Sequence, residues 1–363
     1  MTASVHHESV LKTCRPSVLY HSLLKQGNTC ANPTAAITMP DFAETLSDQV
    51  AVSALEYDRF VSVYKPESMG NTAKIAYGGC AIAIAISAAY QTMDSQYSPY
   101  TAMGHYLGPA LVDRPLFAAV RRIRDTRTFA TRQVEISQIQ DNGSARVCMI
   151  VSLDFHTKEK ASLLEYSASP SIRYQSVEAL PTVKQASEDM IAQGKVSRTT
   201  VYFNEKQYAL RERLVESRPC PEGMEYQTMN GEIKVPTTQD NLPLVDRFSG
   251  DYFKAKHQLA NQAEQMAALG FIMDGALSFI PLTHSSMSLR DAAACSSLDF
   301  ALRIFTHDID INDWHFREFK TVVGGEGRTY SESRLWDRAG KMVANMTQQS
   351  ILRPFVLQPK ASL

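Results

Sequence analysis

One carboxylate stands out for its surroundings. Asp274 sits in Met273-Asp274-Gly275-Ala276-Leu277, within the run Gln265–Phe279, whose composition is compatible with a helix. A charge among apolar neighbours is costly to bury unless it is paired or used. Asp274 is therefore a candidate proton acceptor, with a hydrogen bond inside the helix as the alternative. A second concentration of chemistry is basic: Arg121, Arg122, Arg124, Arg127 and Arg132. Such a cluster could attract a phosphorylated ligand, or it could be a solvated strand edge protected from pairing. Gly78-Gly79 open an apolar run and would permit close ligand approach. Cys80 follows them without an identifiable His partner and reads as a packing thiol, not a nucleophile.

Other patterns fall away. His307–Asp313 has Asp-x-Asp-x-Asn spacing, but a calcium loop needs Gly where Asp313 stands and Glu where Phe319 stands. Gly324-Gly325-Glu326-Gly327 lacks the Lys-Ser/Thr pair of a phosphate loop and reads as a turn. There is no Gly-x-Ser-x-Gly elbow, which disfavours a serine α/β-hydrolase. The six cysteines include no CxxC pair, and neither they nor His6-His7-Glu8 form a metal site, so no metal and no cofactor is expected.

The elements that must position Asp274 follow from pattern and punctuation. Val134 and Ile136 alternate with polar residues, Asp141-Asn142-Gly143 is a hairpin turn, and Val147, Met149, Val151, Leu153 and Phe155 return at period two. A second hairpin is read at Arg328–Trp336, Asp337-Arg338-Ala339-Gly340 and Lys341–Leu352. Cys80–Tyr90 is apolar all round. Its alternating isoleucines suit a strand and its alanines a helix, and periodicity does not decide. Gly79 and Gly270 lie 191 residues apart and Gly143 and Gly340 lie 197 apart, a similar offset that suggests a tandem duplication. A buried helix followed by antiparallel strands, twice, is an α+β arrangement. The expected organisation is a poorly ordered extension (1–40), a first unit (41–158), a linker with short helices near Val183–Gln193 and Asn204–Glu216 (159–245), a second unit (246–356) and a tail (357–363).

The chain has 363 residues, 44% of them apolar and 21% charged, enough for two cores. A net charge of −1 argues against nucleic acid as a partner. The longest apolar run is about half of the ~20 residues that span a membrane. No secretory signal is evident, and reduced thiols suit an intracellular protein. Ala361-Ser362-Leu363 matches the peroxisomal Ser-Lys-Leu address only in part, leaving cytoplasm or peroxisome.

Taken together and in order, several stretches resemble the type II (TesB-like) acyl-CoA thioesterases over about residues 45–355. They are Tyr77-Gly78-Gly79, Arg124–Arg132, Met273–Leu277, Ser296-Ser297-Leu298-Asp299 and, after the Trp336–Ala344 hairpin, Gln348–Pro354. The resemblance implies a tandem (double) hot-dog fold, each half a curved antiparallel sheet wrapped around a long helix. It also implies hydrolysis of an acyl-CoA to a carboxylic acid and coenzyme A. Carried over by position, the catalytic set is Asp274, Ser297 and Gln348, which would hold and activate a water. Gly78, Gly79, Arg124 and Arg127 are expected to bind substrate. The family's further assembly implies a homo-oligomer, a dimer or higher. Departures at Asp299–Thr306, Gly108-Pro109-Ala110 and Thr126 spare the catalytic set and point to a non-standard acyl group. The alternatives are an acyl-thioester hydratase or dehydratase, and a non-catalytic acyl-CoA binding protein.

Overall fold

The structure is a computed structural model and describes residues 42–70 and 74–355. The extension expected over 1–40, the tail and the Ala361-Ser362-Leu363 end lie outside the described residues. In chain order the first half runs α1 (Leu46–Val50), β1 (Val52–Ala54), β2 (Arg59–Ser62), α2 (Gly78–Tyr90), β3 (Tyr97–Tyr106), β4 (Phe117–Asp125), β5 (Phe129–Ile139) and β6 (Ala145–Thr157). A connecting stretch carries α3 (Val183–Ala192), α4 (Arg198–Gln207) and α5 (Ala209–Leu214). The second half runs β7 (Val215–Pro219), α6 (Met224–Thr228), β8 (Phe248–Ala255), α7 (Gln262–Met273), α8 (Ile280–His284), β9 (Ala294–Ser297), β10 (Asp299–Ile304), β11 (His315–Gly325), β12 (Arg328–Trp336) and β13 (Met342–Arg353).

Both hairpins form where their turn residues place them. Gly143 (φ +78°) and Gly340 (φ +81°) adopt the left-handed backbone that the two turns require. Between β5 and β6 the Gly143 N–H donates to the Gln140 carbonyl at 2.8 Å, and between β12 and β13 the Gly340 N–H donates to Asp337 at 2.9 Å. Alternation then sends Val134, Ile136, Met149, Val151, Leu153 and Phe155 into the core.

The apolar run after Gly78 is a helix. Every α2 residue from Gly79 to Ala89 is buried, between strands β4, β5 and β6 and helix α7. An element covered on all sides has no polar stripe, which is why its sequence shows no helical period.

The strands make one antiparallel sheet in the order β1-β2-β4-β5-β6-β3-β10-β13-β12-β11-β8-β7, with β9 added on β13. Read outward from the β3–β10 join, each half has the same strand order, and α2 and α7 occupy the same place in it. The duplication is therefore present element by element. One of its two landmarks is not equivalent, however: Gly79 is the second residue of α2, whereas Gly270 is the ninth of α7. Both glycines instead serve the helix crossing. A Cβ on Gly270 would come within 2.5 Å of Ile86 Cδ1, and one on Gly79 within 2.5 Å of the Phe271 carbonyl oxygen.

The segment 159–245 also needs correction. The helix read over Asn204–Glu216 is two helices, α4 and α5, and its last residues belong to β7. That strand pairs with β8 from Val215↔Ala255 to Pro219↔Asp251. The edge of the second half's sheet therefore starts inside the segment read as linker. Val215 and Ser217 are buried on one face, a two-residue alternation too short to show among the flanking charges.

Candidate active site

Helix α7 ends one residue before its carboxylate. Asp274 is the C-cap, not an interior residue as the apolar run suggested, and the chain turns away through Gly275 and Ala276, the latter at φ +77°. The end is fastened by Arg317, whose Nη1 donates to the Ile272 carbonyl at 2.7 Å while its Nε and Nη2 clasp Asp251 at 3.0 and 3.1 Å. A guanidinium on a last-turn carbonyl satisfies an acceptor that the helix itself leaves open.

Asp274 is 6% exposed. Its Oδ1 accepts from the Tyr106 hydroxyl at 2.9 Å and from Gln348 Nε2 at 2.7 Å. The Gly79 backbone N–H, in the first turn of α2, lies near enough to the same carboxylate to favour its ionised form. Burial pushes the Asp274 carboxyl up to about 6, and the bonds from Tyr106 and Gln348, with the nearby Gly79 N–H, oppose that rise. The result is a carboxylate that is ionised at neutral pH yet basic enough to take a proton.

A short backbone relay holds the partners in place. The Leu298 N–H donates to the Gln349 carbonyl at 2.8 Å, and the Tyr106 N–H donates to the Leu298 carbonyl at 2.9 Å. Leu298 thus ties the end of β3 to β13, and Ser297 on β9 lies opposite Ser350 on β13. Gln348 is fully buried, so its alternation in β13 faces inward rather than to solvent. Ser297 and Asp274 line one cleft with Tyr77 and Gly78. The Ser297 hydroxyl makes no hydrogen bond to Asp274 or Gln348, and it is available to a ligand in the cleft. The arrangement is a buried base beside two neutral hydrogen-bonding groups, which is what activation of a water requires.

Residues 65–156 match the N-terminal domain of acyl-CoA thioesterases, and residues 218–352 match the C-terminal domain. The chain belongs to the acyl-CoA thioesterase family. Solved structures similar to it include an acyl-CoA thioesterase II, TesB2, from Mycobacterium marinum, at 18% identity and TM-score 0.60, covering 88% of this chain and all of that one. A putative thioesterase II from Thermobifida fusca aligns at 15% identity and TM-score 0.57, over 85% of this chain and 97% of that one. A protein described as having a hot dog fold, from Alicyclobacillus acidocaldarius, aligns at 12% identity and TM-score 0.60, over 86% of this chain and 98% of its own. The double hot-dog architecture expected from the sequence is the one observed.

Not every residue nominated for this thioesterase's site is at it. Gly78 is: a Cβ there would sit 2.7 Å from the Tyr106 hydroxyl and 2.9 Å from Asp274 Oδ2. Gly79 has its N–H near Asp274, but the space where its side chain would be is filled by the Tyr77 ring and the Phe271 carbonyl. Arg124 and Arg127 are elsewhere. They border the turn between β4 and β5, where Arg124 lies over the Phe129 ring at 5.5 Å and 3.7 Å from Asp154. Arg132 shows which end of the molecule this is. It is 2% exposed and donates to Thr92, just past the end of α2, to Asp125 and to the Arg124 carbonyl. Arg124 and Arg127 therefore stand at the opposite end of α2 from Gly78, about 20 Å of helix away. Arg132 is a structural tie and not part of a free basic cluster. At the position after α2 that corresponds to Asp274, the C-cap is Gln91, so the duplication carries the carboxylate in one half only.

Tyr106 is the site residue the sequence reading missed. Its bond to Asp274 spans 168 residues of sequence, and a tyrosine at a strand end carries no local signal. Among the described residues, no helix is long and apolar enough to cross a membrane.

Proposed function

We propose that the Asp274 cleft hydrolyses an acyl-CoA to a free carboxylic acid and coenzyme A by direct attack of water. Asp274 takes a proton as the water oxygen bonds to the thioester carbonyl carbon. Collapse of the tetrahedral intermediate breaks the carbon–sulfur bond, and the proton held by Asp274 passes to the departing thiolate. Gln348 and Ser297 orient the water by hydrogen bonds, and Tyr106 aims the carboxylate. The positive N-terminal end of α2 lies beside the site and favours the negative oxygen that develops in the transition state. The observation that carries this reading is the buried carboxylate itself, tied by groups from both halves of the chain and lining the cleft with Ser297 and Gly78. The homo-oligomer belongs to the same proposal, and light scattering that returns the 40.4 kDa mass of one chain would remove it.

The pH dependence of kcat/KM tests the base. The rate is expected to rise about tenfold per unit up to a single midpoint near pH 6 and then level off, because only ionised Asp274 accepts a proton. Tyr106→Phe removes a bond that favours the ionised form, so its midpoint should move upward. A profile flat from pH 5 to 8, or a midpoint that Tyr106→Phe leaves in place, would exclude Asp274 as the base.

A further inference from the structure

Behind the catalytic cleft lies a second cavity. Met69, Ala276 and Phe279 are walls of both, and Gly275, the residue after Asp274, lines the second. Helices α3 to α6 close its far side. A pocket for a plain hydrocarbon chain would be walled by aliphatic and aromatic groups. This one has a charged wall. Arg317 and Arg211 both pair with Asp251, which is 1% exposed, and Arg211 Nη1 stands 3.8 Å from Glu225. Burial pushes the Asp251 carboxyl up, but the two guanidiniums outweigh it and hold it below the usual carboxylate range. Burial, and then the Asp251 charge beside it, push the Glu225 carboxyl up.

Part of this wall is unsatisfied. Arg211 Nε, Asn204 Nδ2, Ser217 Oγ and Glu225 Oε2 are buried without a hydrogen-bond partner among the described residues. All four residues line the cavity, as does Tyr208. A buried polar group left unpaired costs about 1–3 kcal/mol, and methylene groups packed against it would not relieve that cost. The set holds donors (Arg211, Asn204) and an acceptor (Glu225). Its two guanidiniums face three carboxylates, Glu212, Glu225 and Asp251, which gives no net attraction for an anionic chain end. A neutral oxygen function complements it: a hydroxyl can accept from the donors and donate to Glu225, and a carbonyl can accept.

We propose that this cavity is the acyl compartment and that it selects acyl groups carrying a hydroxyl or carbonyl oxygen along the chain over unsubstituted saturated chains. The selection rests on the hydrolytic reading of Asp274. A site built to hydrogen-bond an oxygen discriminates strongly against the analogue that lacks it, because its own groups are then left unpaired.

The test compares kcat/KM for decanoyl-CoA with that for hydroxydecanoyl- and oxodecanoyl-CoAs bearing the oxygen at successive carbons. The native protein is run beside Tyr208→Phe, Glu225→Gln and Asn204→Leu. At least one oxygenated isomer should exceed decanoyl-CoA by about tenfold or more, the scale of a lost hydrogen bond to a binding site. That ratio should fall toward one in at least one variant whose melting temperature matches the native protein. Equal or better turnover of decanoyl-CoA than of every oxygenated isomer would overturn the proposal, and so would a ratio that none of the variants changes. If no thioester is cleaved, the reading of Asp274 fails on its own, and the cavity is then judged by binding. Free hydroxydecanoic acids should raise the melting temperature more than decanoic acid does, and equal or absent shifts would overturn the pocket.

Discussion

Asp274→Asn is expected to lower acyl-CoA turnover by about a thousandfold, the usual scale for removing a positioned base, while leaving the protein folded. Thiol release from a panel of acyl-CoAs measures it, and turnover within a factor of a few of native would end the assignment. The same variant should be more stable than the native protein at neutral pH. Asp274 titrates near 6 in the folded chain, against about 3.9 for an unfolded aspartate. The folded state therefore holds this proton more tightly. Below about pH 4 the group is protonated in both states and has no effect. As pH rises from about 4 to 6, the unfolded chain ionises first and stability is lost, and the loss is complete above that window. Asn cannot ionise and avoids it. The gain should approach about 2–3 kcal/mol at pH 8 and shrink toward zero near pH 4, with two pKa units as its upper bound. Denaturant unfolding of both proteins at the two pH values reads this directly. A stability difference independent of pH would mean that the Asp274 carboxyl is not strained by its burial.

The second large effect separates two adjacent glycines. Gly79→Ala would place a Cβ 2.4 Å from the Tyr77 ring and 2.5 Å from the Phe271 carbonyl oxygen. The ring is pinned by its own bond, Tyr77 Oη donating to Phe271 O at 2.6 Å, and the carbonyl belongs to α7, so neither yields without moving the helix crossing. A loss of about 3 kcal/mol or more is expected, as for overpacking against backbone. The nearest atoms to a Cβ at Gly78→Ala are side-chain atoms and not backbone: the Tyr106 hydroxyl at 2.7 Å, and the Tyr106 ring carbon Cε1 and Asp274 Oδ2 at 2.9 Å. The substitution should cost little stability and about a hundredfold in turnover, because moving these side chains aside breaks the Tyr106–Asp274 contact that aims the base. Comparable melting temperatures for the two variants, or an active Gly78→Ala protein, would contradict this division of roles.

Parts of this architecture are local and were legible as such. Asn142-Gly143 and Asp337–Gly340 mark their hairpins because a turn is dictated by the residues within it. Asp274 could be singled out because a carboxylate in an apolar run is an anomaly wherever the chain goes. Ser297 and Gln348 have no such local mark, and they entered through the resemblance alone. Whether Cys80–Tyr90 was helix or strand was not legible, since total burial erases the polar face that would show the period.

The basic stretch from Arg121 to Arg132 looked like one cluster. The fold separates it into exposed residues and one buried tie, Arg132, because alternate residues of a strand face opposite ways. The residues alone were enough for the element types at both hairpins, for the doubled α+β plan and for marking Asp274 as an anomalous carboxylate. Only the tertiary structure brought Tyr106 to Asp274, sent Arg124 and Arg127 to the far end of α2, and set the charged wall of Arg211, Asp251, Arg317 and Glu225 behind the cleft. The reason is the same in each case: these are contacts between residues tens to hundreds of positions apart, fixed by strand register and helix crossing, and such contacts leave no pattern in any local stretch of the chain.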